Sequence, residues 1–171
     1  MVYKSTNGID EMATRRQARR LALQALFVNE FLKEDPLSIL ERVAQSLGEE
    51  IQDFTRELIV KTTENRAVMN KLIKQHLINW ELHRIAVLDK MLISMALTEI
   101  IFFPDIPVEV TINEALEISK EFSNFKSRKF VNGILDSIYK DLNNSNKLQK
   151  FITAHSSLNR GKSSPRKGNS T

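Results

Sequence analysis

Phe125-Lys126-Ser127-Arg128-Lys129-Phe130-Val131-Asn132-Gly133-Ile134-Leu135-Asp136 decides the fold class of this chain. Asn132-Gly133 is a dipeptide that commonly turns a β-hairpin. Here it sits inside an unbroken helical period. Phe130 or Val131, then Ile134, Leu135, Ile138 and Leu142, recur on the inner face of a helix from about Ser127 to Leu142. The hairpin is therefore rejected. Gly133 costs about 1 kcal/mol relative to alanine in a helix interior, which a close approach by another backbone would justify. Ser127 is the expected cap. Lys126, Arg128 and Lys129 fall at the helix start, where free N–H groups and the positive end of the dipole disfavour cations. An anion relieves that conflict, and phosphate suits it best.

Working outward, glycine and proline are sparse and helical periodicity dominates. Pro107 starts a helix running to about Phe122, with Val108, Ile112, Ala115, Leu116, Ser119 and Phe122 facing inward. Before it, about Ile85 to Phe103 is apolar around most of its circumference, marking a central helix packed on several sides. Asn79-Trp80-Glu81-Leu82 is a connection or single turn, its Trp80 and Leu82 assigned to the core. A long pattern spans about Glu50 to Leu77. Asp35-Pro36 opens a short helix that Gly48 stops after Leu47. The first helix runs from about Thr14, a candidate N-cap, to Leu32. Its inner residues are Ala18, Leu21, Ala22, Ala25, Val28 and Leu32, with Arg15, Arg16, Arg19 and Arg20 roughly opposite, beside Leu23 and Phe27.

The predicted architecture is all-α: about seven helices in one domain over 14–142, divided into packed halves of about 14–78 and 79–142. A flexible segment (1–13) precedes it, and a basic, disordered tail (143–171) follows. The formal charge of +4 is unevenly spread. Lys147, Lys150, Arg160, Lys162, Arg166 and Lys167 all follow Asp141, the last acidic residue, so the remainder is net −2. Local clusters, not total charge, must therefore identify a binding surface. The tail is expected to act as a nonspecific tether for RNA or polymerase.

The absence of cysteine excludes disulfides and thiolate metal sites and fits a reducing cytoplasm. His76, His83 and His155 lack helical metal-ligand spacing, so neither metal nor cofactor is expected. No apolar run reaches membrane-spanning length, no secretory signal opens the chain, and no phosphate loop or nucleophile elbow occurs. Asp105 and Glu109 are not a catalytic pair; Glu109 complements its helix dipole.

The two basic clusters point to RNA binding without chemistry. Arg15, Arg16, Arg19 and Arg20 could form the solvated face of an amphipathic helix. However, no acidic residue intersperses them between Thr14 and Val28. Guanidinium forks suit phosphate, and Phe27 offers a ring for an unpaired base. Asn132 could bond a base edge or tie two helices together. Glu99 lies among Leu88, Leu92 and Met95 and needs a cation, either internal, such as Arg84, or from a partner protein, the reading preferred.

The chain resembles the NusB family of bacterial transcription antitermination factors. The resemblance rests on Lys129 to Asp136, Ile106-Pro107 through Ile112-Asn113-Glu114-Ala115, Arg15 to Phe27, and Trp80-x-Leu-x-Arg84. It covers Arg15 to about Leu142. It implies an all-helical fold of two three-helix-type halves and binding of single-stranded boxA-type RNA in ribosomal RNA leaders. It also implies that ribosomal protein NusE binds alongside, within an RNA polymerase complex that suppresses premature termination and assists ribosomal RNA maturation. The implied RNA contacts are Arg15, Arg16, Arg19, Arg20, Lys126, Arg128 and Lys129, and Glu99 and Phe27 are the implied partner contacts.

Three positions depart from the family pattern: Phe27 replaces a common tyrosine, Ser94 a common arginine, and Lys126 a common acid. The last change favours RNA. A competing reading is a helical adaptor or homodimer with nonspecific RNA binding, related to the helical domain of ribosomal RNA methyltransferases but without catalysis.

Overall fold

A computed structural model describes residues 7–79 and 81–150, those ahead of Thr14 as backbone. The described residues form α1 (Asn7–Leu32), α2 (Pro36–Leu47), α3 (Asp53–Glu64), α4 (Arg66–Gln75), α5 (Val87–Phe102), α6 (Val108–Ser119) and α7 (Phe125–Asn144). A single 3-10 turn, Leu82–Arg84, precedes α5. Helices α1, α2 and α3 pack on one another, as do α5, α6 and α7, giving the two expected halves.

The central helix is α5. From Met91 to Ile101 every residue is buried, and α5 contacts α1, α3, α4, α6 and α7. Its apolar circumference therefore has the expected cause. In α7, Val131, Ile134, Leu135, Ile138 and Leu142 form the buried face. The second helix also starts and stops where its punctuation demands. Asp35 accepts from Ser38 N at 2.8 Å, Pro36 occupies the first turn, and Gly48 adopts φ 66° to close the end.

Several expectations require correction. α1 begins at Asn7, so Thr14 lies within it and is not its N-cap. The pattern from Glu50 to Leu77 is two helices separated at Asn65. Thr62 and Thr63 hydroxyls donate to the Leu58 and Ile59 carbonyls, and Asn65 Nδ2 donates to Lys61 O. Such side-chain competition with the backbone ladder bends or ends helices. Asn124, not Ser127, caps α7; its Oδ1 accepts from Ser127 N at 3.0 Å. Around Gly133, a Cβ would meet nothing within 4 Å, so no close backbone approach explains that glycine.

Leu32, expected inside, is half exposed. On α6 the buried arc is Thr111, Glu114, Ala115, Ile118 and Ser119, shifted from the apolar stripe predicted. Thr111 and Glu114 have partners on α5 and α1, described below, while Ser119 Oγ donates to the Leu116 carbonyl of its own helix. Beyond α7, Leu148 packs against the core. The remainder of the expected tail, from 151 onward, lies outside the described residues, as do residues 1–6 and Trp80. Leu82 is half-buried against the core.

Candidate nucleic-acid interface

Three elements build the surface: the arginine row of α1, the aromatic groove beside it, and the first turns of α7. The α1 row differs most from expectation. Arg19 is 3% exposed and forks onto Glu99 of α5, with Nε–Oε2 2.8 Å and Nη2–Oε1 2.6 Å. Thr111 Oγ1 donates to the same Glu99 at 2.7 Å, and Glu114 of α6 lies 3.8 Å from Arg19 Nη1. Arg19 also lies over the Phe54 ring, 5.4 Å from its centroid. A buried charge needs this degree of satisfaction.

Arg19 is therefore structural, and phosphate cannot reach it. Glu99, 1% exposed, is answered within the chain, so the preferred partner-facing role is also corrected. The internal cation is Arg19 rather than Arg84.

Arg16 forks onto Glu114 at 2.9 and 2.7 Å while remaining about one-third exposed. The hydrogen bond to Glu114, opposed by burial and reinforced by Glu114, Glu117 and Glu121, raises its pKa above the ordinary guanidinium value. Arg20 pairs with Glu121, while its buried Nε has no hydrogen-bond partner among the described residues. Arg15 also lies over the Phe54 ring, 5.6 Å from its centroid. The carboxylates absent between Thr14 and Val28 thus come from α5, α6 and the turn after α6. Arg16 and Arg20 remain at the surface, already partly neutralised.

The α7 cluster is different. Lys126 and Lys129 are exposed, Arg128 is half-buried, and none of the three forms an ion pair among the described residues. Lys129 Nζ sits 5.1 Å from the centroid of exposed Phe125, and Arg128 Nη1 donates to Ser123 O at 3.1 Å. Phe125 is the first residue of α7, which places these cations in its opening turns. Asn132 is exposed and hydrogen-bonds to no other helix among the described residues, which removes its helix-tying alternative.

A groove connects the clusters. Arg20, Gln24 and Phe27 of α1 line it with Leu88 and Phe122. Past Phe27, Leu88 and Phe122 it continues to Asn124 and Ser127, at the start of α7. Arg20 therefore borders one pocket and the start of α7 borders its neighbour, with Phe27, Leu88 and Phe122 shared between them. Phe27 is half-buried and braced edge-on by Phe31 at 5.1 Å.

The NusB family model matches residues 16–140. The transcription antitermination protein NusB of Bacillus licheniformis is 40% identical over 128 residues, covering 75% of this chain and 98% of that protein. The chain belongs to the NusB family. A solved NusB structure from T. maritima superposes with TM-score 0.67 at 39% identity, covering 74% of this chain and 90% of that one. A crystal structure of antitermination factors NusB and NusE in complex with dsRNA gives TM-score 0.68 at 22% identity, covering 74% and 96%; it supports the shared fold.

In this NusB-family chain, the groove adds Glu121, Phe122, Asp89 and Ser123, which sequence reasoning did not assign to a site, and beside it lie Glu114, paired with Arg16, and Phe125, under Lys129. Glu114 carried a legible signal, a charged residue on the inward arc of α6 beside Ala115. Phe122 carried a misleading one, because its place in the apolar stripe assigned it to the core. Among the described residues, no helix is long and apolar enough to cross a membrane.

Proposed function

We propose that this chain is a non-catalytic, cytoplasmic RNA-binding factor for transcription antitermination. It binds single-stranded boxA-type RNA in ribosomal RNA leaders together with ribosomal protein NusE, as part of an RNA polymerase complex. The observation that carries the reading is the α7 cluster: Lys126, Arg128 and Lys129, without ion pairs among the described residues, in the opening turns of a helix whose Ser127 lines an aromatic groove. Helix-start N–H groups, mobile cations and accessible rings are what an unpaired strand requires.

Phosphate contacts come from Lys126, Lys129 and Arg128, with Arg16 and Arg20 contributing as they exchange carboxylate for phosphate. Exposed Phe31, edge-on to Phe27, and exposed Leu32 and Leu47, which share a pocket between α1 and α2, are the surface for a protein partner. Titrating a boxA-like RNA and a scrambled RNA, with and without NusE, tests the reading. Preference for the boxA-like strand, strengthened by NusE, is expected; equal affinity in all arms would overturn it. Light scattering during the titration separates this reading from a homodimer, which should dissociate as RNA masks its interface.

A further inference from the structure

Gly133 has no explanation inside the molecule. It stands in the middle of α7, where glycine lowers helix stability, yet a Cβ built there would meet nothing within 4 Å. At about 100° per residue it falls opposite the buried face of Val131, Ile134, Leu135, Ile138 and Leu142. The same count places Lys126, Lys129, Lys140 and Asn144 with it on the outer face, and all of them are exposed. Bare backbone on an exposed helix face lets a ligand approach closely. We propose that this face of α7 is a sequence-independent track for RNA that flanks the strand held at the groove. The proposal rests on the RNA-binding reading above and adds a second contact region to it.

The track ends on a second basic face. His76, at the end of α4, lies 3.7 Å from Asp141 of α7, which joins the ends of these two helices. Lys71 and Lys74 belong to α4 and Lys150 follows α7; all three are exposed and form no ion pair among the described residues. Helix dipoles account for Lys74, which occupies the last turn of α4, where a cation is favoured. They do not account for Lys71, one turn earlier, or for Lys140, which precedes the last turn of α7. Asp136 and Asp141 are the acidic residues of α7. Lys140 faces the first at 2.7 Å and Lys147 the second at 3.8 Å. Exposed pairs of this kind are weak, so both lysines can exchange carboxylate for phosphate.

The dimensions suit a nucleic-acid strand. α7 spans 20 residues, about 30 Å at ~1.5 Å per residue. That is the length of roughly nine nucleotides at ~3.4 Å per phosphate. Lys126 and Lys129 take phosphates at its start, Lys140 and Lys147 farther along. Gly133 lies between them, where the ribose-phosphate chain can come against the helix. Exposed Asn132 beside it carries both a donor and an acceptor for a ribose 2′-hydroxyl. An acidic protein segment would meet the lysines but has no such hydroxyl, so RNA is the favoured occupant. Lysine contacts phosphate as a point charge, and phosphate contacts carry no sequence information. The track therefore lengthens the bound strand without reading it.

The test is fluorescence anisotropy of the full chain with a labelled boxA-like RNA and the same RNA lengthened by about ten uridines at one end or the other. One lengthened form should bind about tenfold more tightly at low salt. Its salt slope should be steeper by about two, since single strands contribute about 0.7 per phosphate contact. Replacing Lys71 and Lys74 together with alanine should remove most of that gain and leave the affinity for the short RNA unchanged. Gly133→Leu should do the same, and the lysine variant decides the matter if Gly133→Leu fails to fold. No gain from either extension, a gain that survives the folded variants, or equal losses for short and long RNA would overturn the track. Poly-glutamate that displaces the extension more readily than a uridine decamer would assign the face to an acidic protein and overturn it too. Failure of every RNA to bind would overturn the underlying RNA-binding reading, and the track with it.

Discussion

Arg19 of α1 and Glu99 of α5 form a buried two-pronged pair, 2.8 and 2.6 Å apart, that joins the two halves of the molecule. Thr111 attaches α6 to the same carboxylate. Removing one partner from a buried pair typically costs about 3–5 kcal/mol, because the other charge stays desolvated. Glu99→Ala should therefore lower urea-unfolding stability by about 3 kcal/mol, the lower end, since Glu114 and Phe54 still face Arg19. Arg19→Met combined with Glu99→Leu should recover most of the loss. A fully additive double variant would show that the pair is not energetically coupled.

Arg16 presents the opposite balance, with one-third of its side chain exposed and Glu114 almost enclosed. Glu114→Gln should release Arg16 toward solvent while retaining one acceptor oxygen. RNA affinity is then expected to rise at low salt, and the slope of log K against log salt to steepen by about one phosphate equivalent. Salt titrations of both proteins decide this. An unchanged slope would place Arg16 outside the RNA path.

The elements most legible in the sequence are those whose determinants are local. Asp35-Pro36 and Gly48 delimit α2 because a cap, a fixed φ and a left-handed residue act within a few positions. α5 was recognisable because no polar stripe interrupts it. The α3–α4 break was hidden, since Thr62, Thr63 and Asn65 fit a helix by pattern and end it by bonding to its carbonyls. Arg19 was misplaced for a tertiary reason: its counter-charge lies 80 positions away. A helical projection can place an arginine on a face but cannot show that Glu99 and Glu114 will cover it. The α7 cations were legible because their helix start is local, although the cap proved to be Asn124.

Gly133 is helical, exposed and open around the missing Cβ. Gly133→Ala should therefore stabilise the protein by up to about 1 kcal/mol through helix propensity and reduced freedom of the unfolded chain. Thermal unfolding measures it. A destabilised variant would mean that this surface is covered, for which RNA binding by the same variant is the next measurement.

Glu30 supplies a pH test. Burial opposes its ionisation, but the Lys33 hydrogen bond and the charges of Arg66, Lys33 and Lys90 outweigh that effect, lowering its pKa below the ordinary 4.5. A depressed carboxyl pKa stabilises the folded state above the unfolded value, and the contribution fades as pH falls through the folded value. Glu30→Gln should therefore melt earlier than the unaltered chain near neutrality. The difference should shrink progressively below pH 4.5. A gap that stays constant into acid would assign the effect to lost packing instead of charge.

Lys126 and Lys129 separate phosphate anchoring from general basicity. Both are exposed in the opening turns of α7, and neither supports the core. Replacing either with alanine should leave the melting temperature nearly unchanged. Each change should weaken boxA-like and scrambled RNA to a similar degree, reducing the salt slope by about one. Lys129→Ala also removes the cation over Phe125, 5.1 Å from the ring centroid. Its effect should therefore exceed that of Lys126→Ala if Phe125 helps orient the strand. Loss confined to one RNA sequence would instead make these lysines base readers. An unchanged salt slope in both variants would remove the α7 opening turns from the RNA-binding surface.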